Sequence, residues 1–135
     1  MRLLRGLAAL LAAAVVGFAA VTLIALEGRE VVQLRTVTPE GGVRSTRTWV
    51  ADADGAMWVE AANVQRPFLL DLRAHPDIEL VRGGTVLPVR AVAVPGLDAH
   101  RKIRSLLAEK YGWADRWIGL LADTSHSEAV RLEPR

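Results

Sequence analysis

The stretch Val43–Trp49 reads VRSTRTW, and within it Arg44, Ser45, Thr46, Arg47 and Thr48 set two guanidiniums and three hydroxyls in consecutive positions. Guanidiniums bind phosphate oxygens in a bidentate fork, and hydroxyls complete such contacts. Successive side chains of a strand point to opposite faces, so Arg44, Thr46 and Thr48 share one face and Ser45, Arg47 and Trp49 the other. A further basic residue, Arg66, precedes Pro67 and a short helical stretch, where the unpaired amides of a first helical turn favour an anion. These residues suit a phosphate-bearing ligand. They read equally as a solvated β face, because threonine favours strands and exposed arginine is the rule.

Other chemistries find little support. The chain has no cysteine, which excludes disulfide and thiolate chemistry. His75, His100 and His126 are scattered without metal-ligand spacing, and His75 before Pro76 reads as a turn residue. There is no G-x-S-x-G elbow, no Walker-type glycine loop and no His-Glu-x-x-His. A net charge of +2, with no basic stripe interleaved with aromatics, argues against nucleic acid as a partner. No side chain stands out as a catalytic acid or base. That pattern is compatible with an oxidoreductase whose cofactor carries the hydride chemistry, and equally with a non-enzyme.

The elements that must position these residues begin with a hydrophobic segment. Gly6–Leu26 reads GLAALLAAAVVGFAAVTLIAL without a charge, and as a helix it is about 30 Å long, enough to cross a bilayer core. Arg2 and Arg5 precede it, and no small-x-small cleavage site stands at its end, where Leu23-Ile24-Ala25-Leu26 precede Glu27. An uncleaved membrane anchor is therefore favoured over a cleaved signal peptide or a buried helix. The charge rule gives a cytoplasmic N-terminus and an exported domain. The chain divides into a basic flank (1–5), a transmembrane helix (6–26) and one small domain (27–135).

Within that domain, turn signals at short intervals mark an antiparallel β fold with helices. Strands are expected over Glu30–Thr38, Val43–Ala51 and Ala56–Ala62, forming a three-stranded meander around Pro39–Gly42 and Asp52–Gly55. A short helix over Pro67–Ala74 follows, stopped by Pro76. A second hairpin turns at Gly83-Gly84, with Pro88 at an edge or bulge. A long helix capped by Asp98 carries Ile103, Leu107, Tyr111, Ala114 and Ile118 at helical spacing, interrupted near Gly112. The segment SEAVRLEP, Ser127–Pro134, supplies a last strand, making about six in all.

In order and spacing, VTPEGGVRSTRTWVADADGAMWVEAA, RPFLLDLRAHPDIELVRGG, LLAEKYGWADRW and EAVRLEP resemble the split β-barrel flavin-binding proteins, in particular the deazaflavin (F-420)-dependent nitroreductase-like group. The resemblance covers Val31–Pro134. It implies an α+β split barrel of the flavin-reductase and pyridoxamine-phosphate-oxidase kind, binding F-420 or FMN and often forming a homodimer. By this resemblance Arg44, Ser45, Thr46, Arg47, Thr48, Ala62, Asn63 and Arg66 would hold the cofactor, and Trp49 and Tyr111 would line the substrate side. The chain departs from the group where Asp71 replaces a neutral amide. A carboxylate there repels a phosphate unless Arg66 or Arg73 offsets it.

Two functions follow as expectations. One is a membrane-anchored reductase that passes a hydride from a reduced deazaflavin or FMN to a lipophilic quinone or nitro compound. The other is a membrane-tethered binding or assembly module on the same barrel without cofactor.

Overall fold

A computed structural model describes Met1–Arg135. Helix α1 (Arg2–Glu27) is followed by β1 (Val32–Val37), β2 (Val43–Thr48), β3 (Ala51–Ala53) and β4 (Ala56–Ala61). Then come α2 (Pro67–Ala74), β5 (Asp77–Arg82), β6 (Thr85–Val94), α3 (Leu97–Tyr111), α4 (Trp113–Leu121) and β7 (Glu128–Pro134). The seven strands form one antiparallel sheet in the order β2-β1-β5-β6-β7-β4-β3.

The β1–β2 and β5–β6 hairpins form as the turn residues predict. Gly83 and Gly84 both have positive φ, at 55° and 79°, the geometry a tight two-residue hairpin requires. Both turns of the expected three-stranded meander form, at Pro39–Gly42 and Asp52–Gly55, but the middle strand does not stay whole. The run Val43–Ala51 breaks at Trp49-Val50 into β2 and β3, which gives seven strands, and β4 pairs with β3 and β7 instead of β2. Hairpin signals report only local pairing, whereas the β4–β7 contact joins segments far apart in the chain.

Inside the curled sheet, Val32, Leu34, Val59, Leu80, Val89, Val130 and Leu132 are buried. Helix α2 closes one end of this core with Phe68, Leu69 and Leu72, each worth about 1.5–3 kcal/mol of burial. Pro76 ends α2 and the chain re-enters the sheet at once, with Ala91 N donating to Pro76 O at 2.8 Å. Pro88 lies in β6 just beyond the β7 pairing, where its carbonyl accepts from Arg135 N at 3.2 Å.

A second core lies on the outer face. Ile103, Leu107 and Tyr111 of α3 and Ala114 of α4 pack against Ala51, Trp58 and Ala129, and Ala25 of α1 joins them. Helix α3 is capped by Gly96, with Asp98 inside the first turn. The long helix expected here is two helices, because Gly112 at φ 56° and ψ −119° turns the backbone sharply between α3 and α4. Helix α1 is long and apolar, with a mean hydropathy of 2.6, and its central residues pack against nothing else in the fold.

Candidate functional site

Strands β2 and β3 are the two edges of the sheet, yet they are joined by only Trp49-Val50. The sheet must therefore curl until its edges approach. Strand β3 covers only the first half of β4, pairing Ala51–Ala53 with Ala56–Trp58. The second half of β4 is left facing β2 across a gap, and this gap is a cleft.

Its polar end is a cavity of about 480 Å³ lined by Arg44–Thr48 of β2, Glu60, Ala62, Arg66 and the start of α2. All five basic and hydroxyl residues of β2 reach it because an edge strand leaves one side open. A second cavity of about 390 Å³ shares Arg47, Thr48, Glu60, Ala62 and Arg66 with the first. It continues toward Leu26, Trp49, Leu107 and Ile118, between the end of α1 and helix α4.

The charges along the cleft are largely matched. Asp71 is nearly sealed, accepting from Thr36 Oγ1 at 2.8 Å and from Arg44 Nε at 2.7 Å. The carboxylate is thus offset by Arg44, and not by Arg66 or Arg73; Arg73 instead donates to Glu128 at 2.6 Å. Asp71 positions the Arg44 guanidinium and satisfies the buried Thr36 hydroxyl. Arg47 pairs with Glu27 at the end of α1 in an exposed ion pair, which an incoming phosphate can replace at little cost. Arg66 is exposed and pairs with no carboxylate. It is the N-cap of α2, but Pro67 has no N–H and Leu69 and Leu70 both donate back to Arg66 O. Only the Phe68 amide remains unpartnered in that turn, so the helix start offers one donor to an anion.

Glu60, Arg104 and Asp115 form a network that the sequence alone does not reveal. Arg104 reaches Glu60 at 2.9 Å and Asp115 at 2.7 Å. Burial pushes this guanidinium's pKa down, but hydrogen bonding to Asp115 and the two carboxylate charges outweigh it and the net shift is upward. Glu60 also accepts from Ser127 Oγ at 2.8 Å, and Ser127 Oγ lies 3.1 Å from His100 Nδ1. The one signal in the sequence is a charge inside the apolar run AMWVEAA.

The remaining residues of the sequence reading fall differently. Ala62 lines both cavities, whereas Asn63 lies outside them beside His100 and His126, its side chain accepting from Gln65 N at 3.0 Å. Trp49 lines the second cavity and donates from Nε1 to Leu26 O at 3.1 Å. Tyr111 stacks on Trp49 with ring centroids 4.3 Å apart but is itself fully enclosed. Its hydroxyl donates to Glu30 O at 2.6 Å and accepts from Val50 N at 3.0 Å. Burial raises its pKa.

No protein-family model and no curated protein matches this chain. Solved structures do match it in fold. A provisionally assigned pyridoxamine 5′-phosphate oxidase from Listeria innocua is 12% identical, over 84% of this chain and 90% of its own, with a TM-score of 0.60. An F420-H2 dependent reductase is 19% identical, over 78% and 95%, with a TM-score of 0.57. The fold is the split β-barrel. A third structure with this fold, 19% identical over 78% and 81% with a TM-score of 0.59, is a domain-swapped dimer. At these identities the likeness is one of fold, and the cleft's chemistry rests on its own residues.

Proposed function

We propose that this chain is a membrane-anchored reductase that binds reduced F-420 or FMN in the β2–β4 cleft and serves a lipophilic acceptor such as a quinone or nitro compound. The observation that carries this reading is the two-part cleft, with a basic, hydroxyl-rich end that merges into a more apolar chamber against the end of α1. Arg47, Arg66 and the hydroxyls of Ser45, Thr46 and Thr48 would hold the cofactor's phosphate, with Arg44 fixed in place by Asp71. The bound cofactor supplies the hydride. Trp49, Leu107 and Ile118 would orient the acceptor and exclude water from it.

Reduction of a quinone by hydride also consumes a proton. The chain His100–Ser127–Glu60 supports a route for it. His100 Nδ1 lies 3.1 Å from both the Ser127 carbonyl and its hydroxyl, so as Nε2 takes a proton from solvent Nδ1 would release one to Ser127 Oγ, whose own proton would pass to Glu60 Oε2 at the cleft wall. The α1 helix would serve as the anchor, and the arginines before it favour an exported domain.

The internal pairing of Arg44 with Asp71 and of Arg47 with Glu27 supports a second reading, a tethered module that binds no cofactor. Full-length protein in mild detergent, mixed with FMN or F-420 and desalted, separates the two. Retained absorbance that Arg47→Ala plus Arg66→Ala removes supports the reductase. No retention at concentrations well above the micromolar range leaves the module.

A further inference from the structure

Helix α1 runs from Arg2 to Glu27, and its uncharged stretch Gly6–Leu26 is about 30 Å long as a helix, the thickness of a bilayer core, so a span that keeps Arg2 and Arg5 at one surface ends near Leu26 at the other. The end of that span, Thr22–Glu27, is the stretch the globular domain grips. Trp117 Nε1 donates to Thr22 Oγ1 at 3.1 Å, Trp49 Nε1 donates to Leu26 O at 3.1 Å, Arg47 pairs with Glu27, and Ala25 is buried. Phe18, one turn earlier, meets the Trp117 ring at 5.6 Å between centroids. Helix α4 therefore lies beside the last turns of α1, at the depth where a spanning helix leaves the hydrocarbon.

The face α4 turns outward carries three large apolar side chains. Leu120 is 81% exposed, Leu121 48% and Trp113 42%, while its opposite side is anchored by Ala114 and by Asp115 on Arg104. Arg116 is exposed one helical turn before Leu120. Trp113, Arg116 and Leu120 thus share one exposed face, and a mixture of tryptophan, leucine and arginine suits a helix lying in a membrane interface, where the indole stays at headgroup level and the guanidinium snorkels.

We propose that α4 is such an interfacial helix, its Trp113, Leu120 and Leu121 immersed in the headgroup layer of the bilayer that α1 spans. This rests on the anchoring reading of α1. Its consequence is that the apolar end of the cleft, bounded by Leu26, Ile118 and Gly119, opens at the membrane surface and not into bulk water.

The chain contains no cysteine, so single-cysteine variants of the full-length protein can carry an environment-sensitive fluorophore. Leu120→Cys and Leu121→Cys report on α4. Val43→Cys, an exposed site at the far end of β2, is the aqueous control, about 20 Å along the strand from Trp49. In vesicles of phosphatidylcholine and phosphatidylglycerol, spin-labelled lipid should quench the α4 probes severalfold more than the Val43 probe, and aqueous iodide severalfold less. Protein that floats with the vesicles while its α4 probes respond like Val43 overturns the interfacial placement and leaves the anchor standing. Probes reached by neither quencher show that a protein surface covers α4, which also overturns it. Protein that does not float removes both readings.

Discussion

Replacing Arg44 by alanine should cost more stability than replacing its partner Asp71, although both substitutions break the same 2.7 Å contact. The side chains are unequally exposed, Arg44 at 37% and Asp71 at 2%. Asp71→Ala leaves a guanidinium that water can reach, so the lost ion pair counts for less than about 1 kcal/mol. It also strands the fully buried Thr36 hydroxyl, which adds about 1–3 kcal/mol. Arg44→Ala instead leaves a buried carboxylate with only the Thr36 hydrogen bond, a loss of about 3–5 kcal/mol. The double variant has no buried charge and should be more stable than Arg44→Ala alone. Urea unfolding of the full-length protein in mild detergent, followed by tryptophan emission at neutral pH, measures all three. Equal losses for the two single variants, or simple additivity in the double, would refute this account of Asp71 as a buried charge held by Arg44.

Hydrogen bonds from Arg82 hold the carboxyls of Glu30 and Asp52 below their ordinary values of 4.5 and 3.8. Their stabilisation is thus complete above about pH 4.5 and declines as pH falls through the lowered values; acid titration of Arg82→Ala should show a shallower loss than the native chain. Gly112→Ala should cost about 1–3 kcal/mol by backbone strain alone, since φ is 56° and a Cβ there would touch nothing within 4 Å; a thermal melt matching the native one would sink that reading. Ser127→Ala should lower turnover by about 10²-fold or more while leaving cofactor retention intact, and an unchanged rate across the pH range would remove the proton route.

Local signals in the sequence match local structure. The Gly83-Gly84 hairpin, the helix stop at Pro76 and the interruption at Gly112 each follow from one residue's backbone preference, and each is present. The basic stretch of β2 is legible as a candidate anion site because alternation alone assigns its faces. The partner of β4 is not legible, because pairing Val59 with Val130 depends on how the whole sheet closes. Asp71 is misleading for the same reason. By sequence it is a negative charge near a phosphate site, but the fold turns it inward, where Thr36 and Arg44 take both its function and its charge. Glu60 becomes visible only once α3 brings Arg104 against it.

The order in which the cleft's walls become available has its own consequence. Strand β2 can fold early against β1, but the wall opposite it, β4, is held chiefly by β7, which is synthesised only after α2, the second hairpin, α3 and α4. Distant pairings of this kind form late, after the cost of closing a long loop has been met. No binding cleft exists on a nascent chain, so any ligand must be acquired after synthesis of β7. If the domain is threaded across a membrane unfolded, that ligand has to be available on the far side.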